Sequence, residues 1–276
     1  MPAAPLVVRK SVSASALTHL SRLIEEQNLA METSIRLRTL RAWAIHLYTA
    51  SGLVFALLAL GAIVANDARL VFIYLGIALF IDATDGALAR RWQVKIWAPH
   101  FDGRKLDDIT DYINYTFLPA FFAYHFGLIT GVGGMVVLGV MVLAGVYGFC
   151  QSEAKTSDGY FTGWPNFWNL LILYLYIFNR SPEFNGIVIL VCAALIFVPV
   201  KYVSFSTRPL RRVTRVLSLL YGVVLYFIVV DLRNAPPMLL ALSLVFPLYY
   251  LVLSLLLNLK SDWQTNAAEK LEPESH

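Results

Sequence analysis

The chain has 276 residues, of which 58% are hydrophobic and only 14% charged, with a net charge of +4. A soluble globular chain carries about 25% charged residues, so the composition excludes an ordinary soluble domain and predicts an integral membrane protein. The basic residues are spread between apolar runs instead of forming one patch, which argues against a nucleic-acid partner.

The N-terminal segment, residues 1–35, is predicted to lie outside the membrane. A helical pattern covers residues 14–38, with apolar positions along one side at Leu17, Leu20 and Ile24. We expect either a short amphipathic helix on the membrane surface or a solvated helix that leads into the first span.

Eight apolar segments follow, and a helix needs about 20 residues to cross a bilayer. They predict an all-α bundle of about eight transmembrane helices in one membrane domain, residues 36–260, followed by a polar tail, 261–276. The fifth segment is short and is interrupted by Arg180 and Pro182. The predicted spans are residues 40–65, 69–90, 106–129, 131–152, 166–180, 186–204, 212–232 and 237–258.

The Lys and Arg residues predict the orientation of these spans, because cytoplasmic loops carry an excess of both. With the N-terminus in the cytoplasm, all but three of the 22 Lys and Arg residues fall on the cytoplasmic side. The three exceptions are Arg69, Arg180 and Arg233. Both termini and the loop after the second span are therefore predicted to be cytoplasmic.

Carboxylates interrupt this apolar pattern at two neighbouring spans. Asp82 and Asp85 lie near the end of the second span, and Asp107 and Asp111 lie near the start of the third. At 100° per residue each pair falls on one side of its helix, so two facing helices would bring four carboxylates together. Each acid costs a few kcal/mol at membrane depth. Two divalent cations would neutralise four aspartates.

The composition of this acidic pattern indicates the kind of metal. Oxygen ligands alone suit Mg²⁺ or Mn²⁺, and the pattern lacks the His and Cys ligands that zinc prefers. Small residues beside the acids, Gly86, Ala89 and Gly103, leave room for a ligand against the helix, although close helix packing explains any one of them equally well. His46, inside the first span, is expected to be satisfied by a neighbouring helix.

Eight positions around these acids form the pattern D-x2-D-G-x2-A-R…G-x3-D-x3-D: Asp82, Asp85, Gly86, Ala89, Arg90, Gly103, Asp107 and Asp111. The pattern resembles the signature of the CDP-alcohol phosphotransferase family. Twelve residues separate Arg90 from Gly103, where most of that family has eight. The longer spacer is similar to that of the bacterial phosphatidylcholine synthase branch. Four flanking stretches are also similar to this branch: HLYTASG (46–52), FCQSEAKT (149–156), FTGWPNFWN (161–169) and VPVKYV (198–203).

The resemblance, which covers about residues 36–260, implies a reaction and a set of roles. Choline would displace CMP from CDP-diacylglycerol, in a bacterial inner membrane, to give phosphatidylcholine. The four aspartates would hold two divalent ions, Mn²⁺ or Mg²⁺, and Asp111 would be the base that takes the alcohol proton. The CDP-lipid site would include Gly86, Ala89, Arg90 and Gly103. We add Thr49 as a candidate contact to the cytosine.

A choline site needs aromatic faces and a diffuse negative field, because a quaternary ammonium donates no ordinary hydrogen bond. Most aromatic residues here belong to the interfacial belts that membrane proteins share. The candidates for choline are Tyr112 and Tyr115 near Asp111, Glu153 after the fourth span, and the pair Trp164 and Trp168.

Alternatives to choline transfer stay open at this stage. A basic cluster, Arg208, Arg211, Arg212 and Arg215, suits anionic membrane lipids, or else a phosphate on a glycerol phosphate or inositol phosphate acceptor. Serine is a further candidate acceptor. A divalent-cation transporter would also carry intramembrane acids, but its acids should lie near mid-membrane in both halves of the chain. The sequence leaves a homodimer open.

Overall fold

The computed structural model of the chain describes residues 14–151, 160–203 and 211–269. These residues are almost all helical, with one two-stranded antiparallel ribbon. In chain order the helices are α1 (Ala14–Val64), α2 (Ala68–Arg91), α3 (Val94–Trp97), α4 (Gly103–Tyr112), a π-helical turn (Ile113–Phe117), α5 (Leu118–His125), α6 (Gly131–Cys150), α7 (Trp168–Phe178), α8 (Pro182–Ile196), α9 (Arg211–Val230) and α10 (Pro237–Glu269). The strands are β1 (Phe161–Thr162) and β2 (Lys201–Tyr202).

The helices confirm the predicted all-α, multi-pass membrane protein. Among the described residues, five helices are long and apolar enough to cross a membrane, and α7 and α8 are shorter apolar helices. The five are α1, α2, α6, α9 and α10. Helix α4, the π-helical turn and α5 follow one another without a break and occupy the third predicted span. Each of the eight predicted spans thus overlaps a helical segment, but the sixth, 186–204, was predicted too long: α8 ends at Ile196, and strand β2 lies within the rest of that range.

The N-terminal helix is present, and it continues without interruption into the first span. Neither Gly nor Pro, the residues that most disfavour a helix, occurs between Ala14 and Ser51, so nothing in the sequence ends the helix before the membrane. Helix α1 has 51 residues, about 76 Å at 1.5 Å per residue. This is more than twice the thickness of the hydrocarbon core, so the N-terminal half of α1 projects beyond it.

Helix α7 is shorter than the fifth predicted span. It has 11 residues, about 16 Å, and ends at Asn179 in the left-handed conformation (φ 46°). Ser181 then caps α8, and Pro182 occupies the first turn of α8, where its missing N–H costs nothing. The interruption predicted at Arg180 and Pro182 is therefore a tight turn between two short helices.

The main core gathers side chains from α1, α2, α5, α6, α7, α8 and α9. Trp168, Phe122 and Ile63 are its largest fully buried members. Helix α6 approaches the π-helical turn closely at Gly145, because this residue has no side chain. A methyl group at Gly145 would collide with the Thr116 side chain. Helix α6 is thereby held against the helical segment that carries Asp111.

A smaller core fixes the spacer between α2 and α4. Its buried members are Ala42 and Ile45 of α1 and Val94 and Ala98 of the spacer. Asp102 then begins α4, because its side chain accepts a hydrogen bond from the Lys105 N–H at 3.0 Å. The long spacer is thus an ordered element that sets where α4 starts.

Hydrogen bonds between the two-stranded ribbon and α10 hold two loops against that helix. Strands β1 and β2 pair antiparallel, and the Asn258 side chain completes the ribbon like a third strand. It accepts from the Lys201 N–H at 2.9 Å and donates to the Lys201 carbonyl at 2.7 Å. The Ser254 hydroxyl also accepts from the Val203 N–H at 3.2 Å. The loops before α7 and after α8 are therefore tied to α10.

Helix α10 contains Pro247, which cannot donate a hydrogen bond to the carbonyl four residues earlier, that of Ser243. The Tyr174 hydroxyl of α7 donates to that carbonyl at 3.1 Å and lies 3.2 Å from the Tyr221 hydroxyl of α9. In hydrocarbon an unpaired carbonyl is costly. Tyr174 therefore compensates the proline and links three helices.

Candidate active site

Helices α1, α2 and α4 meet at one end of the bundle around a small cavity. The four predicted aspartates, Asp82, Asp85, Asp107 and Asp111, all line it. The cavity measures about 10 Å³, which is room for roughly one water molecule or ion. The other lining residues are Thr49, Ala78, Ile81, Thr110, Asn114 and Tyr115.

Three of the carboxylates are arranged as a cation site. Asp82, Asp107 and Asp111 each offer an oxygen, and these oxygens lie within 4.8 Å of one another. Oxygens on opposite sides of a bound Mg²⁺ lie about 4.2 Å apart, since each Mg–O distance is about 2.1 Å. Adjacent oxygens around the same ion lie about 3.0 Å apart, so the acidic triad could hold one divalent cation after its oxygens move closer by up to about 1–2 Å.

The fourth carboxylate, Asp85, is buried with 5% of its surface exposed, and the Thr49 hydroxyl donates to its Oδ2 at 2.8 Å. Four carboxylates this close repel one another strongly in a poorly hydrated site. A bound cation is the natural compensation for that repulsion. The structure brings the four predicted residues together, and their role as ligands stays a prediction.

Two hydroxyl groups orient the carboxylates of α2. Thr49 holds Asp85, and the Tyr115 hydroxyl donates to Asp82 Oδ2 at 2.6 Å. The sequence suggested other partners for both residues, cytosine for Thr49 and choline for Tyr115. Those contacts stay predictions, whereas the hydrogen bonds to the aspartates are present. The signal for Tyr115 was its position four residues after Asp111, one turn further along the same helix.

A π-helical turn directly after Asp111 shapes this part of the site. The Leu118 N–H bonds to the carbonyl of Ile113, five residues earlier, and Pro119 follows without an N–H to donate. The wider turn carries Asn114 and Tyr115, which both line the cavity. Such turns are frequent at functional sites, and nothing in the sequence pattern except Pro119 indicated this one.

The small residues of the motif lie in different surroundings. A methyl group at Gly103 would sit 2.6 Å from Cε1 of His46, so Gly103 makes room for that ring. At Gly86 the nearest atom would be Nη1 of Arg90, at 3.4 Å. Ala89 packs against the smaller core, and Arg90 is exposed. Contact of these four residues with a CDP-lipid stays a prediction.

His46 differs from its prediction, which was a bond to a neighbouring helix. Its Nε2 is buried and has no hydrogen-bond partner within the described ranges. The ring packs against Phe101, with 4.5 Å between ring centroids, and against Trp43 at 5.7 Å. One aromatic ring of α1 and one of the spacer therefore pack against His46.

The aromatic residues proposed for choline do not form one cluster. The Tyr112 ring meets Phe149 of α6 edge-on, with centroids 6.2 Å apart. Trp164 and Trp168 meet edge-on at 4.7 Å, and Trp168 is fully buried in the main core. Glu153 lies outside the described residues. Choline binding by these residues and by Tyr115 stays a prediction.

Comparison with known proteins places these features in context. No family model matches the chain. A phosphatidylcholine synthase of Pseudomonas aeruginosa is 40% identical over 162 residues, 59% of this chain and 68% of that protein. Proteins of the same name from Legionella pneumophila (35% over 221 residues, 77% and 87%) and Borreliella burgdorferi (38% over 174 residues, 63% and 74%) are also similar.

Proposed function

The chain belongs to the phosphatidylcholine synthase family, and from this premise we propose that it transfers the phosphatidyl group of CDP-diacylglycerol to choline. The choline oxygen forms a bond to the phosphorus that carries the diacylglycerol. The bond from that phosphorus to the oxygen bridging to CMP breaks, and the choline hydroxyl proton goes to a protein base. Phosphatidylcholine and CMP are the products.

One observation supports this assignment above the others: four aspartates line one cavity where α4 meets the two membrane-spanning helices α1 and α2. A CDP-lipid has its tails in hydrocarbon and its diphosphate in water. Its phosphates therefore lie at the boundary of the membrane, where a helix end can place acidic side chains. The arrangement matches a substrate that is itself amphipathic.

We assign a pair of divalent cations, Mg²⁺ or Mn²⁺, to this site, although the cavity has room for about one, so the second would require the site to widen. Asp82, Asp107 and Asp111 would hold one, as their oxygen separations allow, and Asp85 would complete the set for a second. When bound, such ions supply charge stabilisation to phosphate oxygens, which is the main requirement of phosphoryl transfer. Thr49 and Tyr115 keep two of these carboxylates in fixed orientations.

Asp111 is the residue we assign to the choline proton. Its carboxylate lines the cavity beside Asp107, one helical turn away. A base within hydrogen-bond reach of an alcohol typically contributes a factor of about 10²–10⁴ to the rate. The exposed Arg90 guanidinium and the small residues Gly86, Ala89 and Gly103 are assigned to the cytidine diphosphate, together with Thr49. Tyr112, Tyr115, Glu153, Trp164 and Trp168 remain the candidates for the trimethylammonium group.

The orientation in the membrane belongs to the same proposal. The Lys and Arg asymmetry of the sequence supports a cytoplasmic active site with both termini in the cytoplasm. The relatives come from bacteria, and a bacterial inner membrane is the location that we propose.

An acceptor assay tests the proposed function. Purified protein is incubated with CDP-diacylglycerol and, separately, with choline, serine, glycerol phosphate or inositol phosphate, and CMP release is measured. We expect CMP release that depends on choline. Release that depends on serine but not on choline would assign the protein a different acceptor within the same reaction class. No release with any acceptor, combined with transport of Mn²⁺ into vesicles, would favour a transporter.

A further inference from the structure

The amide of Asn114 is the starting point, because one of its two polar atoms is unpaired. Asn114 lies in the π-helical turn and is 4% exposed. Its Nδ2 donates to the carbonyl of Thr110 at 2.9 Å and to the carbonyl of Gly52 in α1 at 3.3 Å. Its Oδ1 is buried and has no hydrogen-bond partner within the described ranges.

The orientation of this amide is determined by its neighbours. A carbonyl oxygen can only accept, so the amide atom that faces the carbonyls of Thr110 and Gly52 must be the nitrogen. The oxygen is therefore the atom without a partner. A buried acceptor left unpaired costs about 1–3 kcal/mol, which a folded protein tolerates when something outside the chain satisfies it.

Among the described residues, the hydroxyl groups that line the cavity are not directed at this oxygen. The hydroxyl donors that line the cavity are engaged elsewhere: Thr49 donates to Asp85, Tyr115 to Asp82 and Thr110 to the Leu106 carbonyl. The remaining polar side chains of the lining are the four aspartates, whose carboxylates only accept when ionised. With the acids ionised, a cation or a water molecule in the cavity is the partner that suits Asn114 Oδ1.

We propose that Asn114 Oδ1 is a further oxygen of the divalent-cation site, and that it binds the cation directly or through one of the cation's water molecules. This inference rests on the proposed metal site and extends it by one neutral ligand. An amide oxygen suits Mg²⁺ and Mn²⁺ as a carboxylate does, and it adds no negative charge to a crowded acidic site. The π-helical turn carries Asn114 beside the acids.

Asn185 provides a matched control in the same chain. It is also fully buried, its Nδ2 donates to two backbone carbonyls, of Leu128 at 3.0 Å and Arg180 at 3.3 Å, and its Oδ1 is unpaired within the described ranges. Asn185 does not line the acidic cavity. A purely structural role would make Asn114 and Asn185 behave alike.

The test is a titration of purified protein with Mn²⁺ in the absence of CDP-lipid. The concentration of free Mn²⁺ is measured at each step by electron paramagnetic resonance, which gives the dissociation constant. Thermal unfolding is recorded for each variant. We expect Asn114→Ala to bind Mn²⁺ at least 10-fold more weakly, the usual range for supporting ligands being about 10–100-fold. Asn185→Ala should lower the unfolding temperature and leave Mn²⁺ affinity unchanged. Asn114→Asp keeps an oxygen at the cavity and should bind Mn²⁺ at least as tightly as the unsubstituted chain, while its unfolding temperature should fall because a carboxylate cannot donate to the carbonyls of Thr110 and Gly52.

Two outcomes would contradict the proposal. Unchanged Mn²⁺ affinity in folded Asn114→Ala overturns it. If that variant does not fold, Asn114→Asp decides, and an affinity at least 10-fold weaker than that of the unsubstituted chain overturns the proposal. Failure of the proposed metal site itself gives a different result. In that case Asp82→Asn would bind Mn²⁺ as the unsubstituted chain does, or neither protein would bind it.

Discussion

At the scale of single residues, the site combines four carboxyl groups with hydroxyl groups that orient two of them. Asp82 and Asp85 each receive one hydroxyl donor, from Tyr115 and Thr49. Asp111 also lines the cavity, and its proposed roles are metal ligand and base. The chemistry of these side chains makes two predictions.

The first prediction concerns Asp111→Asn. The amide cannot accept the choline proton, so choline-dependent CMP release should fall by about 10²–10⁴-fold. The fold and the binding of CDP-diacylglycerol should be largely kept, because Asn has the same shape. Measured CMP release, with thermal unfolding and lipid binding as controls, checks this. Full activity in a folded variant would remove Asp111 as the base.

The second prediction concerns Tyr115→Phe, which removes only the hydroxyl that donates to Asp82 at 2.6 Å. Groups that orient a metal ligand typically contribute about 10–100-fold to metal affinity or activity. We therefore expect Mn²⁺ binding to weaken by about that factor. Tyr174→Phe, at a second buried tyrosine hydroxyl away from the acids, is the control. Equal Mn²⁺ affinities in both variants would mean that Tyr115 does not position Asp82.

At the scale of elements, close approaches between helices decide where the acids stand. Gly103 of α4 meets His46 of α1, and Tyr174 of α7 meets the proline-interrupted helix α10. Each contact depends on a pair of residues, Gly103 with His46 and Tyr174 with Pro247. A substitution of the second residue should therefore reduce the effect of a substitution of the first.

The third prediction concerns Gly103→Ala. The new methyl group would lie 2.6 Å from His46 Cε1, and overpacking of this kind typically costs about 1–3 kcal/mol. We expect lower thermal stability and lower activity, with both restored in part by His46→Ala, which removes the ring. Gly139→Ala is the control, since nothing lies within 4 Å of a methyl group there. If His46→Ala restored neither property, the role of Gly103 would not be to accommodate that ring.

The fourth prediction concerns Tyr174→Phe. The loss of its hydroxyl leaves the Ser243 carbonyl unpaired in the membrane, at a cost of about 1–3 kcal/mol. Pro247→Ala restores the N–H that normally pairs with that carbonyl, so the same change should cost less in the Pro247→Ala background. Thermal unfolding of the four proteins measures this coupling. Additive effects would show that Tyr174 does not compensate the proline.

At the scale of the whole molecule, the bundle gathers four acids at one end and leaves the rest of the described spans largely apolar. Carboxylate repulsion there should destabilise the protein unless cations are bound. A cation that binds only the folded state stabilises it by about 2.7 kcal/mol at 100 times its dissociation constant. Cation binding and stability should therefore be linked.

The fifth prediction follows from that linkage. Chelation should stop choline-dependent CMP release and lower the unfolding temperature, and added Mn²⁺ or Mg²⁺ should restore both. An Asp82→Asn variant in the same buffers is the control, because its unfolding temperature should respond less to the cation. Activity that survives thorough chelation would contradict a catalytic metal site.

The sequence alone determined the class of the protein, the eight helical segments and the four acids, since these depend on local properties. Apolar runs of about 20 residues predict helices that cross the membrane. Helical periodicity alone places Asp82 on the same side of its helix as Asp85, and Asp107 on the same side as Asp111.

Only the tertiary structure decided what those residues touch. Thr49 donates a hydrogen bond to Asp85, and Tyr115 donates one to Asp82. Gly103 leaves space for the ring of His46. Each of these contacts crosses a helix interface, which the spacing of residues in the sequence does not predict. The unpaired oxygen of Asn114 likewise depends on a π-helical turn and on the Gly52 carbonyl of another helix. Hydrogen bonds and close packing between distant segments arise from the assembled bundle, because they require two surfaces to meet at ångström distances.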